Sequence, residues 1–314
     1  AEHSEDVSGA QASSTPQPGW RYVLIMTVRD EAEYIRQTLD CIAKQTIPPY
    51  ECVIVDDGSK DDTGAIADEA AKKHDWMHVV HRSDRGVRHV GGGVVETFYA
   101  GLESLKTDDY EYLCKIDGDV TFADDYFEGI MRRMHDDERL GGASGKTFNP
   151  VEGGLKEERM IDDMVAGQVN FWRRQCWEDC GGYVREVMWD GIIFHQARMH
   201  GWKTRSFRDD ELRILHPRLM GSSHRKVLHG RMRWGRGHWF LGTHPLYILA
   251  SGVFRMRELP DVIGGACIVI GYVRAWLGGV HRFPHPVFRD ELQRWQLERL
   301  GLGWLKGSRS EPGS

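Results

Sequence analysis

The chain lacks the dense, regularly spaced cysteines of a disulfide-stabilised domain. Its 314 residues include only six cysteines, and most of them lie inside apolar segments. This usage argues against a small secreted scaffold and favours a reducing compartment, so we expect a cytoplasmic location. Cys176 and Cys180 stand four residues apart without a second pair, which is a poor match to zinc-ligand spacing, and we assign them no function.

The chain also lacks an uninterrupted apolar segment long enough to cross a bilayer. Its most apolar stretch, residues 259–280, is interrupted by Asp261 and Arg274 and contains several glycines. A helix lying in the membrane interface, with Tyr272 and Trp276 at headgroup depth, fits this composition better than a spanning helix. A helix packed under the rest of the fold is an equally weighted alternative.

Charge divides the sequence into an acidic front and a basic end. Residues 1–197 contain 21 Lys and Arg against 38 Asp and Glu, whereas residues 198–309 contain 20 against 8. Residues 1–19 are polar, without the apolar core of a signal peptide, and are expected to form a disordered lead. Because basic surfaces commonly contact phosphates on nucleic acid or anionic lipid, the basic end is a candidate for such a contact.

Apolar segments typical of β-strands alternate with helical periodicity through the first 120 residues. Helices are predicted within residues 31–45 and 61–73 and after a glycine-rich turn at 86–93. The predicted strands cover residues 21–28, 52–55, 77–81 and 112–116. This alternation predicts an α/β fold with a doubly wound, nucleotide-binding half.

Two acidic motifs, Asp56-Asp57-Gly58-Ser59 and Asp117-Gly118-Asp119, each follow a predicted strand. Parallel strands of open α/β sheets bind ligands beyond their carboxyl ends. The two motifs therefore predict one charged-ligand site at that edge of the sheet.

Four motifs in order resemble those of family-two glycosyltransferases with the GT-A fold. They are Thr27-Val28-Arg29-Asp30-Glu31, Val55-Asp56-Asp57-Gly58-Ser59, Asp61-Asp62-Thr63 and Asp117-Gly118-Asp119. A single Asp-x-Asp is a weak signal, but the ordered set is far more specific. The resemblance implies a GT-A catalytic domain, a Rossmann-like nucleotide-binding half with a mixed central sheet, over residues 20–225. We expect a basic helical extension at 226–305 and a flexible tail at 306–314.

The resemblance implies inverting transfer of a sugar from a nucleotide-diphosphate sugar, with UDP favoured. Because the leaving diphosphate is negatively charged, Mn²⁺ or Mg²⁺ is the implied cofactor, with Asp119 as a ligand. Asp57 is expected to read the base imide, and Asp117 to reach the ribose or a metal-bound water. Asp30 stands where the family more often has Asn, which leaves the nucleotide less well defined. The implied nucleotide-binding residues are Val28, Asp30, Glu31, Asp57, Arg88 and Asp117.

The acceptor side is implied by a second resemblance, in Gly181-Gly182-Tyr183 followed by Trp189-Asp190-Gly191. Family members carry an acidic pair at the start of a helix here, so Asp190 is the implied general base for the attacking hydroxyl. Trp189 replaces the first acid of that pair. A helix N-cap at residues 191–200 is the alternative role for Asp190.

A histidine completes the metal shell in similar enzymes. His216, after predicted strands at 203–207 and 211–215, is the first candidate, and His224 is its rival. Arg233 and Trp234 belong to a segment that could close over the diphosphate, and they resemble the Arg-Trp of processive synthases. Gly230 replaces the Gln of that motif, which disfavours a processive polymerase. Trp189, His224, Arg233 and Trp234 thus form the expected acceptor or diphosphate side.

Two classes of function follow from these patterns. The first is a glycosyltransferase acting on a lipid-linked or glycan acceptor in polysaccharide or glycolipid assembly, peripheral on the cytoplasmic face of an anionic membrane. The second is a non-catalytic nucleotide or nucleic-acid binding module. A base opposite the phosphates favours the enzyme, and we expect no nucleic acid partner. A nucleotidyltransferase is disfavoured because residues 86–93 lack a triphosphate loop.

Overall fold

A computed structural model describes residues 20–84, 86, 92–218, 227–256 and 261–306. The strands are β1 (Tyr22–Val28), β2 (Glu51–Asp56), β3 (Met77–His81), β4 (Tyr112–Asp117), β5 (Leu140–Gly145), β6 (Thr147–Val151), β7 (Gly154–Glu157), β8 (Val169–Arg173), β9 (Lys203–Phe207) and β10 (Ile214–Leu215). The helices are α1 (Ile35–Ala43), α2 (Thr63–Ala71), α3 (Gly92–Glu103), α4 (Tyr126–Asp136), α5 (Arg174–Asp179), α6 (Trp189–Met199), α7 (Val227–Leu241), α8 (Pro245–Arg255), α9 (Asp261–Leu277) and α10 (Pro286–Arg299).

A seven-stranded mixed sheet, in the order β3-β2-β1-β4-β8-β5-β9, forms the centre of the molecule. β1 runs parallel to β2 and β4, whereas β8 is antiparallel to β4 and β5. The register sets Val28 beside Asp56 and Thr27 beside Asp117. Both acidic motifs therefore leave the sheet at the same edge, as the sequence predicts.

Helices cover both faces of this sheet. Alternate residues of β1 point to opposite faces, so Leu24 packs with the cluster that contains Phe127 of α4, and Ile25 with the cluster that contains Phe98 of α3. Burial of each such side chain stabilises the fold by roughly 1.5–3 kcal/mol. The sheet is thus a rigid support for the loops at its carboxyl edge.

The predicted strand at 211–215 is wrong in its first half. Residues Asp210–Leu212 form a 3-10 turn, and β10 contains only Ile214 and Leu215. Arg133 binds the carboxylates of Asp209 at 2.8 Å and Glu211 at 3.0 Å. These ion pairs hold the acidic residues on the surface in a turn, where an extended strand would separate them.

Helices α7 to α10 form the C-terminal part of the chain and dock on α6. Ile192 of α6 packs with Phe240 of α7 and with Phe288 and Leu292 of α10. A second cluster joins α7, α8 and α9 through residues that include Ile268. Among the described residues, no helix is both long and apolar enough to cross a membrane.

Candidate active site

Asp57 lies at the first carboxylate cluster, directly after β2, and is buried between two arginines. Arg82 donates to its Oδ1 at 3.0 Å, and Arg29 donates to its backbone carbonyl at 2.8 Å. The Asp57 N–H donates to the carbonyl of Val28 at 2.9 Å, which ties the ends of β1 and β2 together. The two arginines fix the carboxylate at the sheet edge, where the expected role is recognition of the base.

Asp30 adopts a left-handed backbone conformation, with φ of 54°. Its N–H donates to Ser59 Oγ at 3.0 Å, and its carboxylate accepts from the Lys60 N–H at 2.8 Å. Asp and Asn tolerate this conformation better than other non-glycine residues, because their short side chains bond the local backbone. Asp can therefore replace the family's Asn here. Its side chain holds the loop after β2, and its contact with a nucleotide stays a prediction.

Asp119 and His216 are brought together by the small sheet formed by β10, β6 and β7. The His216 N–H donates to Phe148 of β6 at 2.9 Å, and Leu215 pairs with Thr121, two residues after Asp119. His216 Nε2 then lies 3.2 Å from Asp119 Oδ2, with both side chains buried. The structure thus juxtaposes the carboxylate and the first-choice histidine of the sequence prediction, 97 residues apart.

Electrostatics in this pair favour the charged forms. Burial lowers the pKa of His216, but the hydrogen bond and the charge of Asp119 outweigh it and raise the pKa. Burial likewise raises the pKa of Asp119, and the contacts with His216 and Arg218 reverse that effect and lower it. In the absence of any ligand, the carboxylate is held ionised by its cationic neighbours.

The donor set at Asp119 fits a hard divalent cation that also binds phosphate oxygens. A carboxylate and a neutral imidazole are suitable ligands for Mn²⁺, so the cation would have to displace the proton that Asp119 favours on His216. His216 Nδ1 is buried without a hydrogen-bond partner in the described part of the chain. Within that part, no three His, Cys, Asp or Glu side chains surround one metal position. Most of the coordination shell would therefore have to come from the diphosphate and water.

Asp117 ends β4 and pairs with Lys115, which lies two residues earlier on the same face of the strand. The Lys115 ammonium also donates to the carbonyl of Gly167 at 3.0 Å and lies 5.3 Å from the ring centre of Trp189. Burial raises the pKa of Asp117, against the opposing charge of Lys115. This buried lysine places a fixed positive charge beside the expected ribose and diphosphate position.

Asp190 is the second residue of α6, and its carboxylate lies close to the same Gly167. A Cβ atom added at Gly167 would lie 3.4 Å from Asp190 Oδ2. Burial raises the pKa of Asp190, while the Gly191 N–H, which donates at 2.9 Å, and the charge of Lys115 oppose the increase. Gly167 is thus a common neighbour of the Lys115 ammonium, which pairs with Asp117, and of a buried carboxylate that is suited to act as a base.

The alternative role of Asp190 as an N-cap is wrong. Helix α6 begins at Trp189, and Met188, with φ of 68°, occupies the N-cap position. Asp190 therefore lies inside the first helical turn. There its carboxylate accepts from an otherwise unbonded backbone N–H and faces the Lys115 charge.

A model of glycosyl transferase family 2 matches residues 23–191, slightly more than half of the chain. The chain belongs to this family. It is 22% identical over 240 residues to the poly-β-1,6-N-acetyl-D-glucosamine synthase of Staphylococcus epidermidis, an alignment that covers 68% of this chain and 53% of that one. The chain spans from 26% to 53% of the length of the curated relatives that it matches. Membership confirms the family resemblance and favours a transferase over a non-catalytic binding module.

Solved structures confirm the GT-A fold of this family-2 chain. A mannosyltransferase of Pyrobaculum calidifontis, in complex with GDP-mannose and Mn²⁺, superposes with a TM-score of 0.51 at 14% identity over 94% of this chain and 90% of that one. Staphylococcus aureus TarS residues 1–349, in complex with UDP, gives the same TM-score at 14% identity over 90% and 92%. At this identity the likeness shows the fold alone.

Arg218 is a site residue that the sequence prediction misses. It binds both carboxylate oxygens of Glu31 and lies 3.3 Å, through Nε, from Asp119 Oδ2. Asn149 fixes its backbone by donating to the carbonyls of His216 and Arg218 at 3.0 and 2.9 Å. Glu31 holds this arginine next to Asp119, and no sequence motif indicates that contact. The place of Glu31 beside the nucleotide base stays a prediction.

The residues predicted for the acceptor or diphosphate side lie in different environments. Trp189 is only 9% exposed and packs edge-on against Tyr183 at 4.5 Å between ring centres, so its indole belongs to the core. Trp234 lies between Arg231 and Arg255, at 4.7 and 4.9 Å from its ring centre, inside the α7 to α9 layer. Arg233 is half-buried, and burial lowers its pKa. For Arg233 and Trp234 closure over a diphosphate stays a prediction.

Two predicted residues, Arg88 and His224, lie outside the described residues. Their contacts with a nucleotide or a metal stay predictions of the family resemblance. The boundary predicted between the catalytic domain and the helical extension, at residues 225 and 226, also lies outside them.

A cavity of about 370 Å³ lies beside the turn at residues 185–188, directly before α6. It is bounded by the start of α3, by Arg185 and Val187 of this turn, and by Arg236 and Gly237 of α7. Helix α7 packs directly on the turn, because a Cβ atom at Gly237 would lie 2.6 Å from the Met188 side chain. The C-terminal helices therefore help to position the start of α6.

Proposed function

We propose that this chain is a metal-dependent, inverting glycosyltransferase that moves a sugar from a nucleotide-diphosphate sugar to an acceptor hydroxyl in polysaccharide or glycolipid assembly. The observation that carries the proposal is the position of Asp190. Its carboxylate is buried, has a raised pKa and lies near Gly167, whose carbonyl accepts from the Lys115 ammonium that pairs with Asp117. A direct displacement at a sugar carbon requires a base for the attacking hydroxyl close to the groups that hold the leaving diphosphate, and the shared neighbour Gly167 supports that arrangement here.

On the donor side, Asp57 and the ends of β1 and β2 would hold the base, and UDP is the proposed nucleotide. The Asp57 carboxylate accepts hydrogen bonds, so it suits the imide N–H of uracil, and its two arginine contacts prevent it from turning away. The solved neighbours are named as complexes with UDP and with GDP-mannose. The choice of UDP therefore depends on Asp57.

On the diphosphate side, Asp119 and His216 would hold the divalent cation. When bound, it would neutralise charge that develops on the leaving diphosphate. Lys115 and Arg218 add fixed positive charges at the same edge of the sheet, and both are held in place by carboxylates. These two side chains stabilise the diphosphate without having to move when the bond breaks.

In the transfer step, Asp190 takes the proton of the acceptor hydroxyl as its oxygen attacks the anomeric carbon. The bond from this carbon to the diphosphate oxygen breaks on the opposite side, with the electron pair going to the diphosphate. One displacement of this kind inverts the anomeric configuration. The raised pKa of Asp190 makes it a stronger base than an exposed aspartate, provided that it is ionised at the working pH.

The acceptor is proposed to be a glycan or a lipid-linked sugar. The cavity beside the turn at residues 185–188, about 370 Å³ in volume, lies within the range of roughly 300–1,000 Å³ of small-molecule sites. It is lined by both backbone and charged side chains, including Arg185 and Arg236, as suits a hydroxyl-rich ligand. The relative from Staphylococcus epidermidis is named as a polysaccharide synthase, which supports this class of acceptor.

Replacing Asp190 with Asn tests the proposal most directly. Asp190→Asn keeps the shape of the side chain but removes the base, so the transfer rate should fall by about 10²- to 10⁴-fold while the affinity for the nucleotide is retained. The assay measures Mn²⁺-dependent release of nucleotide from a panel of UDP-, dTDP- and GDP-sugars, and calorimetry measures nucleotide binding. Asp75→Asn, at an exposed position before β3, is the matched control. Near-normal turnover by Asp190→Asn would remove the base assignment, and release from none of the donors would count against the transferase.

A further inference from the structure

Helices α8 and α9 expose many large apolar side chains. In α8 and α9 together, these side chains are between 37% and 76% exposed. They are Leu246, Leu249, Val253, Phe254, Val262, Ile263, Ile270, Val273, Trp276 and Leu277. Scattered exposed apolar residues are normal, but continuous groups of this kind usually mark an interaction surface.

The exposed residues follow the helical period. In α9, Ile263, Ile270 and Leu277 recur every seven residues, so they lie along one side of the helix. The opposite side of α9, which includes Ile268 and Tyr272, is buried against α7. In α8, exposed residues from Leu246 to Val253 follow the same spacing. We call these two stripes the α8–α9 apolar surface.

The inner sides of these helices are built from small residues. A Cβ atom on Gly271 would lie 2.2 Å from the Met232 carbonyl oxygen, and one on Gly235 would lie 2.0 Å from that of Ile268. A Cβ atom on Gly265 would lie 2.2 Å from the carbonyl oxygen of Gly252, where α8 meets α9. A helix that faces water has its large apolar residues on the inner side and polar residues on the outer side. Here the inner side has small residues and the outer side has large apolar ones, which is typical of helices that contact lipid.

The length and composition of α9 favour a position in the plane of a membrane. Its described part contains 17 residues, and Arg274 lies on its exposed side. Helix α8 is shorter, at 11 residues. A helix spanning the hydrocarbon needs about 20 apolar residues, whereas an interfacial helix buries only one side. Trp276, 58% exposed near the end of α9, has the amphipathic side chain preferred at headgroup depth.

Charge favours a lipid surface over a second copy of the chain. The described residues 227–256 and 261–306 contain ten Arg and Lys but four Asp and Glu. Of these charges, Arg274 lies on the exposed side of α9, and anionic headgroups would attract both it and the net positive charge of the segment, which a second copy of the chain would repel. Arg274 can keep its guanidinium among headgroups while its aliphatic part contacts the apolar layer.

We infer that the α8–α9 apolar surface docks the protein peripherally on an anionic lipid bilayer, with α8 and α9 lying in the interface. This inference is independent of the proposed function, because it concerns a surface remote in sequence from Asp190 and its test requires no turnover. If the transferase proposal also holds, docking would bring the active site to lipid-linked acceptors.

The test is sedimentation of the full chain with vesicles of phosphatidylcholine alone and of phosphatidylcholine mixed with phosphatidylglycerol. We expect binding to the mixed vesicles that weakens at high salt, and much weaker binding to phosphatidylcholine alone. No binding to the mixed vesicles, or equal binding to both kinds, would overturn the inference.

Matched leucine variants locate the contact. Leu249→Glu changes a side chain in α8 that is 51% exposed, and Leu155→Glu changes one in β7 that is 46% exposed. Leu249→Glu should weaken vesicle binding by at least about tenfold, while Leu155→Glu leaves it unchanged. Equal effects of the two variants would contradict the assigned surface. Both positions are exposed, and thermal unfolding checks that each variant is folded.

A charge variant and a size measurement complete the test. Arg274→Gln should weaken binding by about fivefold, and Arg36→Gln, on the opposite end of the chain, should have no effect. Light scattering reports whether the wild-type chain is a monomer. A dimer that Leu249→Glu dissociates, together with absent vesicle binding, would make the surface a contact between copies and overturn the lipid assignment.

Discussion

The GT-A domain and the C-terminal helices bury opposite kinds of groups. Around the sheet edge the buried groups are charges in pairs, such as Lys115 with Asp117 and Arg218 with Glu31. In the helices, glycines such as Gly271 face backbone carbonyls where a Cβ atom would not fit, and many large apolar side chains are exposed. Burying charged groups costs desolvation free energy, and perturbed charged groups cluster at functional sites, so the sheet edge is suited to bind an ionic ligand. The exposed apolar side chains of the C-terminal helices are suited to contact an apolar surface.

The largest expected effect that separates the two regions is that of Asp119→Asn. It should lower transfer by about 10³-fold, about 4 kcal/mol of transition-state stabilisation, because the ion-binding carboxylate is lost. Vesicle binding should be unchanged. Steady-state rates with increasing Mn²⁺ provide the measurement, and thermal unfolding confirms that the variant is folded.

Asp124→Asn, at an exposed position after the same motif, is the control for this change and should keep full activity. Wild-type activity that survives complete chelation of divalent metals would contradict the metal role of Asp119. Loss of vesicle binding in Asp119→Asn would show that the two regions are not separate in function.

The converse change is Gly271→Ala in α9. The new Cβ atom would lie 2.2 Å from the Met232 carbonyl oxygen, which is backbone and cannot move aside without separating α7 from α9. We expect destabilisation by about 1–3 kcal/mol and weaker vesicle binding, with nucleotide affinity retained. Urea unfolding measures the first effect. Gly191→Ala is the control, because a Cβ atom there meets nothing within 4 Å and alanine favours the helix. Equal stability of the two variants would contradict the packing argument.

The pH dependence of transfer should report Asp190. Burial raises its pKa, and only the ionised form can accept the acceptor proton. The value of kcat/KM should therefore fall as the pH drops through a pKa above the ordinary value of about 3.9, with a tenfold loss for each pH unit below it. The Lys115 charge opposes the increase in the pKa of Asp190, so Lys115→Met should move the fall in kcat/KM to higher pH. Lys44→Met, at an exposed position, should not move it. A fall at or below the ordinary value would contradict the role of Asp190.

Much of the catalytic region could be predicted from the sequence because its signals are local. Apolar runs define β1 to β4 to within a residue or two, and the acidic motifs follow where the runs stop. The pairing of Asp119 with His216 follows from the order of motifs in the family. Lys115 also had a local signal, since a lysine inside an apolar strand, two residues before Asp117, must share its face.

The rest depends on contacts between distant parts of the chain. Arg218 meets Glu31 across 187 residues, and no spacing rule distinguishes it from the other basic residues of this half. The expected place of Trp189 on the acceptor or diphosphate side did not allow for packing, because its indole is buried in the core. Trp234 is only partly buried against the cluster of α7, α8 and α9, and its expected role stays a prediction. The apolar stretch in α9 is evident in the sequence, but which of its sides is exposed depends on the packing of α7 against the other side.

The smallest expected effect distinguishes the roles of Asp56 and Asp57, two neighbouring carboxylates of the GT-A domain. His81, at the end of β3, contacts Asp56 and Asp68 at 3.1 Å each, and these hydrogen bonds raise its pKa. Protonated His81 is therefore favoured in the folded state. Its contribution to stability is complete below the unfolded value of about 6.5 and is lost as the pH rises through the higher folded value. Because the side chain is 48% exposed, solvent limits the contribution to less than about 1 kcal/mol.

His81→Gln should therefore be slightly less stable than the wild type at pH 5.5 and equally stable at pH 9, as measured by urea unfolding. The exposed His229→Gln in α7 should differ at neither pH. A deficit that persists at pH 9 would mean that the contact does not depend on the proton. The expected result assigns Asp56 to holding β3 against β2, and it leaves Asp57, which faces Arg29 and Arg82, as the carboxylate of this motif available to a ligand.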